Sequence, residues 1–175
     1  HNSGRRQRQM CIRDRFYIAK SYHDTLKDTF PFGEEHREEF ARRCIFYFKQ
    51  HLYKVNPKYQ EEKVITTTND EFCYWDCLGI GNAYMIIGQQ QRALKWYERA
   101  HDFCPSRNEG FIKIAEIHES NKNYHSMLQS TKMLIDTNRK NPFPRFQFLI
   151  EDNAYSDTSN YPYELHQKAL EGING

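Results

Sequence analysis

The 175-residue chain has no apolar run approaching the ~20 residues that a bilayer-spanning helix requires, and its longest local stretch, Ala83 to Ile87, belongs to a helical pattern. No membrane span is expected. Glycine and proline are sparse, at eight and six residues, so a collagen-like or low-complexity chain is excluded. Charge of neither sign dominates, since 25 Lys and Arg face 23 Asp and Glu. The mean hydropathy of -0.92 points toward disorder. Against it stand twelve Tyr and twelve Phe within a 15% aromatic content, the bulky side chains that disordered chains lack. A folded, soluble domain with a polar surface is expected.

The small positive charge is concentrated in the first fifteen residues. Arg5 to Asp14 looks like the translation of a sequencing-library adaptor in one reading frame, so residues 1–15 are set aside as a fusion scar and expected to be disordered. They carry five Arg and one Asp, a charge of +4, and taking this from +2 leaves -2 for residues 16–175. The arginine cluster would otherwise suggest a phosphate-binding tail; without it, no nucleic-acid partner is expected. An adaptor fused directly to a periodic helix also implies that the native protein begins further upstream.

Four cysteines remain, at Cys44, Cys73, Cys77 and Cys104, with no signal-like segment before them. A cytoplasmic location is the expectation. Cys73 and Cys77 lie one helical turn apart, but a zinc site needs two further thiolates or imidazoles at supporting spacing, so buried reduced thiols are expected and no metal.

The most informative stretch is Tyr74 to Arg107. Cys77, Ile80 and Gly81, then Tyr84 and Gly88, then Ala93, Tyr97 and Ala100, and finally Pro105 follow one another at helical spacings. This resembles the 34-residue tetratricopeptide repeat, with Cys77 where a Trp is usual and Gln90 where an aromatic usually follows the turn. Packing explains the pattern: Gly81 lets the first helix approach the second, Ala93 leaves room for it, and Tyr84, Trp96 and Tyr97 fill the remaining volume. Gly88 allows the turn. Thr68 and Glu71 form a capping box before the first helix, and Pro105 stops the second near Cys104.

One further period gives a hairpin over residues 108–141, with Phe111, Ile114, Ala115 and His118 on its first helix and Tyr124, Met127 and Leu134 on its second. Asn121 to Tyr124 is the turn. Upstream, Phe16 to Tyr22 starts a hairpin over 16–52, interrupted by a turn-rich insertion at Phe30 to Gly33 and completed by the amphipathic run that carries Phe40, Cys44, Ile45, Phe46 and Phe48. Downstream, Asn141 to Pro144 breaks the helices, Phe146 to Ile150 is apolar, and a last helix is expected over Tyr163 to Gly172 within a degenerate unit, 146–172. The predicted fold is all-α, with antiparallel helical hairpins stacked as a short tetratricopeptide-like solenoid.

A second resemblance rests on Cys104-Pro105-Ser106-Arg107-Asn108-Glu109, the hairpin with Asn123-Tyr124, Phe148-Leu149-Ile150-Glu151 followed by Tyr155, and Tyr161 to Leu165. Together these are similar to the helical repeat region that follows the catalytic domain in many family 2 glycosyltransferases. The resemblance implies a parent enzyme that transfers a sugar from a nucleotide donor, with this chain as its non-catalytic tail.

No catalytic constellation is found in the residues themselves. A metal-dependent sugar transferase holds a divalent cation on carboxylates, typically Asp-x-Asp after a strand, and the chain has no Asp-x-Asp. Gly79-Ile80-Gly81 lacks the preceding strand and third glycine of a dinucleotide loop, since Tyr84 stands there, so helix packing explains it. His36 to Glu39 lacks the second His of a zinc-protease helix, and His118 has no nucleophile placed beside it. No cofactor is expected.

What remains is binding. Stacked hairpins present a concave face lined by their first helices, suited to an extended protein or peptide segment or to an upstream catalytic domain of the same chain. The repeat register assigns Lys20, Trp75, Asn82, Met85, Glu109, Glu116 and Ser120 to it. Asn82 matches the position from which peptide-clamping members of the repeat family bind a terminal carboxylate. The supporting Lys is replaced by Leu78 and, one period on, by Ile112, leaving a carboxylate without charge-assisted donors.

Overall fold

A computed structural model describes residues 2–27, 33–55, 71–140 and 161–175. The described residues form seven α-helices and no strand. These are α1 (Asn2–Lys27), α2 (Glu34–Val55), α3 (Glu71–Ile86), α4 (Gln90–Phe103), α5 (Glu109–Ser120), α6 (Tyr124–Lys140) and α7 (Tyr161–Asn174). The described residues are therefore all-α, and the chain divides into two compact units, His1–Phe103 and Cys104–Gly175.

In the first unit α1 pairs with α2, α2 with α3, and α3 with α4, while α1 also reaches α3. The central helix is α3, and its composition explains why. It is apolar almost all round, with Cys73, Tyr74, Cys77, Leu78, Ile80, Ala83 and Tyr84 all buried, and a helix without a polar face must be covered on several sides. Its two glycines make the close approaches. A Cβ at Gly79 would overlap the Phe48 ring of α2, and one at Gly81 would overlap the Tyr97 ring of α4. Both glycines of Gly79-Ile80-Gly81 are thus helix-packing contacts.

The helix α3 ends at a left-handed Gly88, φ 72°. Gly88 N–H donates to Met85 O at 3.0 Å and Gln89 N–H to Tyr84 O at 2.8 Å, the paired closure bonds of a glycine C-cap. The next helix starts at once and stops at Phe103, two residues before Pro105, whose ring disfavours helical geometry in the residue ahead of it. Ala93, Trp96, Tyr97, Ala100 and Phe103 form its buried face.

In the second unit α5 pairs with α6, α6 with α7, and α5 also meets α7. Ala115, Met127, Leu165 and Ala169 form a core over which Tyr124, Leu128 and Tyr161 pack. The approach of α7 to α6 depends on Gly172, where a Cβ would enter the Tyr124 ring.

One feature differs from the sequence-based expectation. Residues 2–15, expected to be disordered, continue as helix into α1. The segment has no Pro, and its Arg, Gln and Met are good helix formers that offset the single Gly4 near the start. Thr68, the turn at 30–32 and the stretch 141–160, with Phe146 to Glu151 and Tyr155, lie outside the described residues. The helix expected over Tyr163 to Gly172 is α7.

Candidate binding surface

In the first unit the structure links two candidates through a polar chain. Lys20 Nζ lies 2.6 Å from Asp24 Oδ2 on α1, and His23 Nδ1 lies 3.6 Å from Asp24 Oδ1. His23 Nε2 in turn faces Asn82 Nδ2 of α3 at 3.0 Å, and Asn82 Oδ1 accepts from the Tyr97 hydroxyl of α4 at 2.8 Å. If Asn82 donates, the imidazole carries its proton on Nδ1, toward Asp24. The His23 imidazole, and after it Lys20, hold the Asp24 carboxyl down at about 2, against the opposing effect of burial. Asn82 therefore spends both ends of its amide tying three helices together. A ligand carboxylate would have only the second Nδ2 hydrogen of Asn82 to accept from.

The other first-unit candidates are simpler. Trp75 is half-buried and stands edge-on to Tyr74, with ring centroids 5.3 Å apart at 84°. Met85, also half-buried, lies on the last turn of α3.

In the second unit Glu116 and Ser120 lie together on α5: the Ser120 hydroxyl donates to Glu116 O at 2.9 Å. The Glu116 carboxylate accepts from Lys113 Nζ at 2.9 Å and from the Tyr161 hydroxyl of α7 at 3.1 Å, so it also joins two helices. Glu109 departs from the register-based placement. Its side chain is 3% exposed and is ion-paired with Arg107, itself 4% exposed, so it lies inside the unit rather than on a groove. Arg107 Nε donates to Glu109 Oε1 at 3.1 Å. A carboxylate at the first turn of α5 is held there by the guanidinium two residues earlier, which the spacing of apolar residues does not reveal.

Two polar features have no counterpart among the expected site residues. His51 Nδ1 of α2 lies 2.6 Å from Asp76 Oδ2 of α3, both side chains almost wholly buried, with Phe16 and Phe72 rings against the imidazole. Lys49 of α2 donates to the Tyr84 hydroxyl at 3.1 Å and lies over both the Tyr84 and Trp96 rings. Such pairs connect residues 25 and 35 positions apart, and only a repeat-to-repeat register could have signalled them.

The cysteines at 44, 73, 77 and 104 are buried thiols outside any disulfide. Burial pushes the Cys44 thiol well above its usual range, which leaves it protonated and unreactive, with Sγ 3.8 Å from Ala19 O. Among the described residues no group of three or more His, Cys, Asp or Glu is arranged to hold a metal ion, and no helix is long and apolar enough to cross a membrane. Comparison with protein-family models and with curated proteins yields no match.

Proposed function

We propose that the chain is a non-catalytic, tetratricopeptide-like helical repeat module that mediates protein interaction or domain organisation, as a portion of a larger glycosyltransferase. The observation that carries the repeat reading is a recurrence of local geometry at one period. Gly88 and Lys122 take the same left-handed conformation, φ 72° and 55°. The closure bonds recur with them: Lys122 N–H to Glu119 O at 2.9 Å and Asn123 N–H to His118 O at 2.8 Å repeat those at Gly88 and Gln89. The buried Gly81 and the fully buried Ala115 hold one register position. Asn82 and Glu116 hold the next, and each accepts a tyrosine hydroxyl from another helix of its own unit. A shared set of constraints on turn, close approach and cross-helix bond supports a common repeat unit beyond helical content alone.

In this reading the first helices of the hairpins provide the holding surface of each unit, with Lys20, Trp75, Asn82 and Met85 in the first and Glu116 and Ser120 in the second. Its partner is a protein segment or the catalytic domain upstream, in a cytoplasmic setting. The glycosyltransferase assignment rests on the Cys104 to Glu109 motif, whose Arg107 and Glu109 form a buried ion pair. Recovery of the native reading frame upstream of Phe16 tests it: a nucleotide-sugar domain with an acidic metal motif is expected. A native start codon immediately before Phe16 would overturn the parent enzyme and leave a free-standing peptide-binding scaffold.

A further inference from the structure

The helix α2 carries its charge in a lopsided order that the reading above does not use. Residues 34–39 hold four glutamates and one arginine, whereas residues 40–55 hold no acid and four bases, Arg42, Arg43, Lys49 and Lys54. The arginines are accounted for within the helix, Arg37 on Glu34, Arg42 on Glu38 and Arg43 on Glu39. Lys49 is turned toward α3, where it donates to the Tyr84 hydroxyl at 3.1 Å. Near the two ends of the helix stand the remaining charges. Glu35 is ion-paired among the described residues only with the His36 imidazole, at 3.9 Å. Lys54 is exposed in the last turn and makes no hydrogen bond or ion pair among the described residues.

Between these ends an apolar side chain faces water. Phe46 is 57% exposed, although it directly follows the buried Cys44 and Ile45. Its ring meets Tyr47 edge-on, with centroids 5.3 Å apart at 79°. Tyr47 stacks on Tyr22 of α1, and Tyr22 meets Phe40 edge-on, so Phe46 is the outer end of a row of rings held by two helices. At 3.6 residues per turn, Glu35, Glu39, Arg42, Phe46 and Gln50 fall along one stripe of α2, with Glu38 and Lys54 at its margins.

From this pattern we infer that the outer stripe of α2 is a self-association surface, on which a second copy of the chain docks its own α2, antiparallel, about a two-fold axis through Phe46. The charge order selects that occupant. An acidic partner would be opposed at the start of the helix and a basic one at its end, whereas the same helix run in reverse matches both. In antiparallel pairing about Phe46, a residue n places after it lies opposite the residue n places before it in the other copy. Phe46 then faces itself, Gln50 lies opposite Arg42, and Lys54 lies opposite Glu38, with Glu35 one turn beyond. Glu38 can accept the lysine, because Arg42 donates twice to Oε1 and leaves Oε2. The two-fold axis repeats each contact, so one exposed ring and one lysine per chain become a ring pair and two ion pairs. This stripe is small beside the ~800 Å² per partner of a standard interface, so the dimer is weak and concentration-dependent. It uses none of the Lys20 and Asn82 contacts and stands or fails separately from the holding surfaces.

The test is sedimentation equilibrium of the full chain from about 5 to about 500 µM, a range that spans weak dimers. The average mass should rise from 21.1 kDa toward twice that value and no further. Phe46→Ala should weaken association about tenfold, as loss of a central aromatic contact does. Tyr17→Ala removes a ring that is more exposed, at 61%, but lies on α1 away from the stripe, and should leave association unchanged. Lys54→Glu places like charges opposite Glu38 twice and should weaken association about fivefold, and Glu38→Lys/Lys54→Glu should restore it to within about twofold of the parent. Far-UV circular dichroism checks that the helices persist in each variant. A constant mass of one chain, equal losses in Phe46→Ala and Tyr17→Ala, or a double charge variant no better than Lys54→Glu would each overturn the proposal. If Phe46→Ala fails to fold, the charge exchange decides it without touching the ring.

Discussion

The turns at Gly88 and Lys122 reach the same backbone by unequal means. In the first hairpin the left-handed position is a glycine, for which φ 72° carries no penalty, and a Cβ there would meet nothing within 4 Å. In the second it is a lysine, at φ 55°, which costs roughly 1–2 kcal/mol relative to ordinary helical geometry. The following residues reverse the advantage. Asn123 Oδ1 accepts from Ser126 N–H at 3.3 Å, a side-chain cap for α6, whereas Gln89, at the same place before α4, has its Oε1 buried without a partner. Each hairpin has one good device and one poor one. The closure bonds are alike in both, so the turn follows from how the two helices must meet, and residue type sets only its cost.

The largest expected effects concern buried polar pairs, one of which is found among the described residues of each unit. Arg107→Ala would leave Glu109 inside the second unit without its guanidinium, a loss of about 3–5 kcal/mol in urea denaturation. His51→Ala should act similarly on Asp76 in the first unit. A loss near zero in either would mean that the remaining carboxylate finds water, and would remove that pair from the core.

Next in size is overpacking. Gly81→Leu should force α3 from the Tyr97 ring and destabilise by about 1–3 kcal/mol or more. The position one period later already carries a methyl, as Ala115, and is fully buried. A variant with the parent's melting temperature would show that the Gly81 approach does not hold the first hairpin.

Exchanging the turn devices sharpens the opening comparison. Lys122→Gly should stabilise by about 1 kcal/mol, and Gly88→Lys should destabilise by a similar amount through φ alone, because space is open there. Asn123→Ala should cost about 1 kcal/mol by removing the cap, and Gln89→Asn should recover part of that amount in the first hairpin. If Lys122→Gly leaves the melting temperature unchanged, the lysine stem is compensating for its backbone through contacts made elsewhere on the hairpin.

Why some of this was legible in the sequence follows from range. Gly81, Gly88, Ala93 and Pro105 act on neighbours within one hairpin, where helical spacing fixes who meets whom, so the hairpins and the stop of α4 at Phe103 could be read directly. The tie from His23 to Asn82 spans 59 positions and that from His51 to Asp76 spans 25. Periodicity cannot rank such polar pairs, because hydrogen-bond partners depend on how one helix is rotated against another. Asn82 illustrates the same limit of range: its register is visible in the sequence, whereas the imidazole and hydroxyl bonded to it are not. The second turn is marked in the sequence by Asn121 to Tyr124, but its left-handed position is not, since a lysine at φ 55° leaves no compositional mark.

The smallest expected effect lies along the polar chain of the first unit. The Asp24 carboxyl is held at about 2 by the neighbouring imidazole and by Lys20, below the ~3.9 of an unfolded chain. A depressed carboxylate contributes stability that is complete above the unfolded value, declines as pH falls from about 4 toward 2, and is absent below. Because the Asp24 side chain is 46% exposed, solvent screening should hold that contribution under about 1 kcal/mol. Denaturation midpoints of the parent chain and of Asp24→Asn, compared between pH 6 and pH 2, should therefore converge as the pH drops. A constant gap between them would mean that Asp24 acts by shape and hydrogen bonding alone, and that its charge does not fasten α1 to the rest of the unit.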